Sequence, residues 1–328
     1  MNAPRARVVR RPVHGVLVLD KPRGISSNNA LQKAKWLLRA EKAGHTGTLD
    51  PLATGALPLC FGAATKFSGL QLEADKTYEA VAVLGVRTAS GDAEGEVLES
   101  LDPRAVSLPT AAELAVVQAQ FTGPIRQVPP MHSALKKNGK ALYEYARAGE
   151  EVEREPREVT IHALTITPHE LAATGHPTVH IRATVSKGTY IRTLGEDIGA
   201  ALGYGAHLSA LRRIDTGGLS VQDAITLEAL EALPEDERLA QLLPPEALLA
   251  GHTRVTLGTD DAGRFLSGLR RRGAWADAHA VAVFGDTPPA LLGTAHVKAG
   301  ELIPGRLLSP IEIQQILESR ASDEVTIP

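Results

Sequence analysis

The sequence predicts an α+β fold in two unequal parts, a larger sheet-and-helix region followed by a small β-rich one. Three observations carry that prediction. Residues 178–185 alternate, with Val179, Ile181, Ala183 and Val185 set to face inward and His180, Arg182 and Thr184 outward, the period of a half-buried strand. Thr110 and Glu113 make a capping box ahead of a stripe through Leu114, Val117 and Phe121, which opens an amphipathic helix. Composition shifts near Pro244-Pro245, and beyond Gly251 short strand-like pieces (280–284 and 290–295) alternate with Gly and Pro. With 328 residues, 43% of them hydrophobic, the chain can fill a core and divide in two. The expected division is a basic arm over 1–12, a first domain over 13–248 and a second over 249–328.

Taken in order, residues 15–19 form a short apolar strand that stops in the turn 20–24. Ser26 or Ser27 then caps a helix with Leu31, Ala34 and Leu38 on one stripe, expected to close at Gly44. Residues 44–55 hold three glycines, three threonines and Pro51 around a single carboxylate, Asp50. Glycine opens backbone angles closed to other residues, and Pro51 pushes Asp50 out of the α region. The stretch reads as a shaped loop that presents Asp50. Residues 76–85 read as a strand with Tyr78 near its start, and 88–92 as a polar loop. The capped helix ends at Gly123-Pro124. Residues 127–149 are broken by prolines and then basic at Lys136, Lys137 and Lys140, which suits a mobile segment touching phosphates. A strand over 158–166 precedes the alternating one. Arg192 falls where that second strand turns into a helix along Leu194, Ile198 and Leu202, a corner from which a side chain can enter a cleft. Leu211 stands beside Arg212 and Arg213, and the tail from Ser309 is expected to be a short helix that then frays.

Charge and composition exclude several classes. Cys60 is the one cysteine, so no internal disulfide forms and an oxidising compartment is not indicated. Arg5, Arg7, Arg10 and Arg11 make the N-terminus basic, but no apolar segment of a secretory signal follows. No run is long enough to span a bilayer, and the expected location is the cytoplasm. The net charge of −3 disfavours nucleic acid as a sum but leaves room for a local basic face. Residues 62–66, Gly-Ala-Ala-Thr-Lys, have the wrong order for a P-loop. Of His162, His169, His176 and His180, two belong to alternating or loop segments and no cysteine joins them, so neither metal nor cofactor is expected.

Residues 20–26 and 44–55, then 127–149, 185–194 and 205–213, resemble in order the motifs of the tRNA pseudouridine(55) synthases, the TruB family. The resemblance spans roughly Val16 to Arg213. It implies isomerisation of a T-loop uridine at position 55 of tRNA, and a mixed, largely antiparallel sheet with flanking helices. Residues 290–308 loosely resemble a PUA-type RNA-binding module. By the same resemblance Asp50 is the catalytic carboxylate, Arg192 pairs with it, Tyr78 stacks on the target base and Leu211 lines the pocket. His45 would fill the gap left by the flipped uridine, and Lys21 with Pro22 would support the loop. Lys66, Lys136, Lys137, Lys187 and Arg212 are expected at the RNA backbone. The sequence departs from the family at Ser26, more often Thr, and at Ala63, commonly Lys, which removes one expected phosphate contact. The implied partner is the tRNA T-arm, bound by a monomer with no guide RNA and no membrane.

The chemistry fits those residues. Making pseudouridine breaks the ribose C1′–N1 bond, turns the base and joins C1′ to C5, with no redox change and no co-substrate. A carboxylate can attack C1′ or a ring carbon, or draw a proton from the sugar; the sequence leaves the three open. A non-catalytic RNA-binding protein on the same scaffold is the alternative, but binding alone needs no trio of Asp50, Tyr78 and Arg192. A glycosidase would need a second acid partnered with Asp50, and none stands out.

Overall fold

The computed structural model describes residues 9–324. Arg5 and Arg7 of the basic arm, and the end of the expected fraying tail, lie outside the described residues.

The first region runs β1 (Gly15–Lys21), α1 (Ser27–Leu37), β2 (Ala43–His45), β3 (Thr54–Phe61), α2 (Ser68–Glu73), β4 (Lys76–Leu84), β5 (Val86–Thr88) and β6 (Val97–Ser100). It continues through α3 (Ala111–Phe121), β7 (Gly123–Gln127), β8 (Lys136–Lys137), β9 (Lys140–Ala141), α4 (Leu142–Arg147), β10 (Arg157–His169) and β11 (Thr178–Val185). The last pieces are α5 (Ile191–Ala201), β12 (Ala206–Thr216), β13 (Leu219–Ser220), β14 (Ile225–Thr226), α6 (Leu227–Ala232) and α7 (Glu235–Ala240).

Among the described residues the main sheet follows the order β14-β1-β3-β12-β4-β11-β10-β7, with β2 on β3 and β13 on β12. Only β1–β14 and β12–β3 pair in parallel. This is the mixed, largely antiparallel sheet with flanking helices that the resemblance implied. One face buries Leu17, Leu19, Leu57, Leu59, Ile181 and Ala183 under α1, α3 and α5. The alternation over 178–185 falls as the sequence predicted, Val179 to Val185 inward and Arg182 outward. Helix α5 lies flush on β12, because a Cβ at Gly199 would stand 2.4 Å from that of Ala206. That close seat fixes the height of Arg192 in the first turn of α5.

Two local expectations need correction. Helix α1 ends at Leu37, well before Gly44, because Arg39 takes the left-handed angle (φ 50°) and Ala40 N–H donates back to Lys35 O, the hydrogen bond of a Schellman stop. Gly44 and His45 then belong to β2, pairing with Cys60 and Leu59, so a short strand separates the helix from the Asp50 loop. Residues 123–127 are likewise a strand on β10 rather than only a helix stop.

The C-terminal β-rich part is present as β15 (Thr253–Leu257), α8 (Thr259–Leu266), β16 (Arg271–Arg272), β17 (Ala278–Asp286), β18 (Pro289–Lys298), β19 (Glu301–Leu307) and α9 (Pro310–Glu324). Its sheet runs β15-β17-β18-β19-β16. It is not a loose appendage: Val16, Val18, Ala56 and Cys60 from the back of the main sheet, with Phe67 just ahead of α2, share one buried cluster with Leu248, Leu249, Phe284, Leu308 and Ile316. Lys66 crosses this seam, its Nζ 2.6 Å from Glu312 Oε2 and 2.9 Å from Leu307 O.

Candidate active site

The loop 46–53 leaves β2 and enters β3, and it is anchored at several points. Ser26 caps α1 through its Oγ, which leaves Ser27 free to turn inward. The buried Ser27 Oγ donates to Leu49 O at 2.9 Å and accepts from Leu49 N–H at 2.8 Å. Arg213 donates from Nε to Ala56 O at 2.7 Å and from Nη2 to Gly47 O at 3.2 Å, on either side of Asp50. Gly55 has φ of +102°, and a Cβ there would lie 2.2 Å from Arg213 O. Only glycine allows that approach. With both flanks tied, Asp50 projects from a fixed turn.

Asp50 meets Arg192 at 2.9 Å, Oδ2 to Nη2. The guanidinium is 5% exposed and reaches three further groups: Ser90 O at 2.8 Å, His132 O at 2.7 Å and Asp92 Oδ2 at 3.6 Å. Asp92 is itself held, accepting from Ser90 Oγ at 2.6 Å and Glu94 N–H at 3.0 Å. One arginine thus joins the Asp50 loop, the 88–92 loop and the 128–135 segment. The Asp50 side chain stays 40% exposed. Burial raises its pKa and the Arg192 charge opposes the rise, while Asp92 adds to it.

A cleft of about 260 Å³ opens beside Asp50. Tyr78, Arg192, Leu211, Tyr190, Lys76 and Arg213 line it, with Ser133 and Ala134 of the 128–135 segment at its edge. The register explains the grouping. Tyr78 on β4 pairs with Arg213 on β12, and Ala80 with Leu211, so these side chains share one face. Lys76, two residues before Tyr78, shares that face as well.

The structure therefore brings Asp50, Tyr78, Arg192 and Leu211 together, and it places the other candidates elsewhere. Lys21 is fully buried below the loop, donating to Ile25 O at 2.7 Å and Pro22 O at 2.9 Å. Burial pushes its pKa down to about 8, against the pull of Asp50. His45 does not line the cleft. It sits in β2, its Nδ1 buried without a hydrogen-bond partner, and burial and then Arg213 lower its pKa. Lys136 and Lys137 are exposed on the β8–β9 hairpin. Lys187 at the cleft rim pairs with Glu73. Arg212 points away from the cleft and holds Asp20 with two bonds, of 2.9 and 2.7 Å. Lys66 is engaged at the seam, so its ammonium serves the junction between the two sheets. Among the described residues no group of three His, Cys, Asp or Glu side chains is arranged to hold a metal; His162 pairs with Asp75, and His176 bonds Leu101 O. No described helix is long and apolar enough to cross a membrane.

Sequence reasoning missed Asp92, Lys76 and Arg213. The last two were within reach, since Lys76 is two residues from Tyr78 and Arg213 two from Leu211, the spacing of one strand face. Nothing local marks Asp92, whose partner lies 100 positions downstream.

The family model described as the TruB family pseudouridylate synthase N-terminal domain matches residues 35–191. The tRNA pseudouridylate synthase B C-terminal domain matches residues 192–250. The tRNA pseudouridine synthase B of Verminephrobacter eiseniae (strain EF01-2) is 66% identical over 322 residues, 97% of this chain and 96% of that protein. The chain belongs to the TruB family of pseudouridylate synthases. It is an enzyme of that family, and a second relative, the tRNA pseudouridine synthase B of Ralstonia nicotianae, is 58% identical over 93% of this chain and 97% of its own. Among solved structures, a chain of a Cbf5-Nop10-Gar1 complex superposes with a TM-score of 0.68 at 25% identity, covering 92% of this chain and 86% of that one. A chain from an H/ACA RNP bound to a substrate RNA containing 2′-deoxyuridine gives 0.66 at 22% identity, covering 90% and 86%, and shares the fold.

Proposed function

We propose that this TruB-family enzyme converts a tRNA uridine to pseudouridine, that the uridine is the one at position 55 in the T-loop, and that Asp50 is the nucleophile or base. The observation that carries the reading is the Arg192–Asp50 pair at 2.9 Å, opening on a cleft that also holds Tyr78. The buried guanidinium favours the ionised form of the carboxylate against the burial that raises its pKa, and aims it, while 40% exposure of the side chain leaves it able to meet a ribose. Tyr78 stacks on the uracil, and the buried Leu211 keeps water from the reacting atoms, which strengthens the charges around them. The base must leave its stack to enter, and His45 on the loop's approach fills the vacated place. Lys136 and Lys137 meet the T-arm backbone, Lys187 does so at the cleft rim, and residues 249–328 form a PUA-like RNA-binding module. The protein acts as a cytoplasmic monomer without guide RNA, cofactor or metal. The relatives' name and the trio in the cleft support the substrate class.

Joining C1′ to C5 displaces the hydrogen on C5, which gives a direct test. Unmodified tRNA transcript made with uridine tritiated at C5 should release tritium to water when the enzyme is added. Intact retention of the label, with enzyme in excess over bound tRNA, would refute the isomerase reading.

A further inference from the structure

The floor of the cleft carries positive charge with no carboxylate set against it. Arg213 is 1% exposed and Lys76 8%, yet among the described residues neither makes an ion pair. Arg213 bonds only the carbonyls of Gly47 and Ala56. Lys76 donates to Gln71 O at 3.2 Å and Leu72 O at 3.1 Å, and to Ala74 O. The carboxylate that lines the cleft, Asp50, is held by Arg192. Burial and then the Arg213 charge push the Lys76 pKa down to about 8, with Asp75 and Glu73 tempering it from outside the cleft. Charges withdrawn from water without a counter-charge are expensive. They are useful where a reaction develops the opposite sign beside them, because dipoles and charges already in place need no reorganisation.

The reaction develops such a charge. We infer that Arg213, assisted by Lys76, takes the negative charge that uracil acquires when its bond to the ribose breaks. This rests on the isomerase reading above. When C1′–N1 breaks, its electron pair stays on the base and spreads from N1 to O2 and O4. C1′ is then satisfied either by a carboxylate oxygen of Asp50 or by loss of a sugar proton to Asp50. When C5 bonds C1′ the pair returns from the base, the Asp50 oxygen leaves C1′ or the sugar takes its proton back from Asp50, the proton on C5 is lost to solvent and N1 takes one up. Tyr78 and Arg213 are cross-strand partners, so a base stacked on Tyr78 has its edge toward the guanidinium. Carbonyl oxygens already occupy Nε and Nη2 of Arg213, which hold it in place, and Nη1 remains for an oxygen of the ring.

The test separates leaving-group help from mere support of the loop. A fluorine at C5 acidifies uracil, so a 5-fluorouracil leaving group needs less help. Wild type, Arg213→Gln and Lys76→Gln are compared under single turnover, on one T-arm carrying uridine or 5-fluorouridine at the target, reading loss of the starting nucleoside. Arg213→Gln should slow uridine by about 100-fold, the scale of one lost charge-stabilising group, and 5-fluorouridine by about tenfold less than that. Lys76→Gln should show the same pattern at smaller size. Equal losses on the two substrates, in either variant, overturn the inference. If Arg213→Gln fails to fold, as a thermal melt would show, the Lys76→Gln ratio alone decides. Wild type inactive on both substrates would instead sink the isomerase reading.

Discussion

Replacing Arg192 by Lys keeps the charge and removes the fork. In the wild type Nη2 serves Asp50 and His132 O, while Nη1 serves Ser90 O and lies 3.6 Å from Asp92. One ammonium cannot occupy both positions. If it follows Asp50, it abandons Asp92, whose side chain is 5% exposed; a buried charge left without its partner costs about 3–5 kcal/mol. The bonds Asp92 keeps to Ser90 Oγ and Glu94 N–H leave it partly satisfied, which sets the cost toward the lower end of that range. If the ammonium follows Asp92, Asp50 loses its aim, and a lost preorganised partner raises the barrier by about 2.7–4 kcal/mol, or roughly 100- to 1000-fold. The variant should therefore turn over at least about 100-fold more slowly at saturating enzyme where the ammonium follows Asp92, or unfold at lower urea where it follows Asp50, and in either case bind tRNA within about threefold of wild type. Single-turnover kinetics, filter binding and urea unfolding read the three quantities. A rate within tenfold of wild type together with unchanged urea unfolding would show that Arg192 does not hold the reacting carboxylate.

Three further outcomes follow from the same geometry. Lys21 has its pKa depressed to about 8 from the usual 10.5, so between those values the unfolded chain binds a proton that the folded one does not, and folding strengthens as pH rises. Relative to Lys21→Met, wild type should gain about 3 kcal/mol between pH 7 and 10.5, and a parallel pair of pH–stability curves would remove the assignment. If His45 replaces the flipped base, His45→Ala should slow a folded T-arm far more than a mispaired, loosened arm with the same uridine; equal factors would mean that His45 only shapes β2. Neutralising Lys136, Lys137 and Lys140 together should flatten the salt dependence of tRNA binding, by about 0.7–0.9 in the log–log slope per lost phosphate contact, and an unchanged slope would place the backbone elsewhere.

The main strands and the capped helices were legible because their signals are local. Period-two alternation over 178–185 and the Thr110–Glu113 box each need only a handful of neighbouring residues. The residues of the cleft came from resemblance, since Asp50, Tyr78, Arg192 and Leu211 are scattered over 162 positions and only the sheet order unites them. Arg39 in a left-handed turn could not be foreseen, because glycine or asparagine normally marks that stop. Lys66 and Arg212 show where local reading stops. A basic residue in a family motif reads as a phosphate contact, and nothing local marks Glu312 and Asp20, both distant in sequence, as their ion-pair partners. Arg213 reads as one more surface base beside Arg212, until strand alternation turns the two to opposite sides and buries only one of them.

Asp50 is proposed here to isomerise one uridine in the T-loop. Unmodified tRNA transcript incubated with the protein, treated with carbodiimide and mapped by primer extension, should give a single new stop, on the 3′ side of position 55, with wild type. Asp50→Asn keeps the shape of the side chain without its ability to attack or to take a proton, and should bind the transcript normally and give no stop. A stop at another uridine would contradict the assigned target, and a stop of wild-type intensity with Asp50→Asn would contradict the assigned residue.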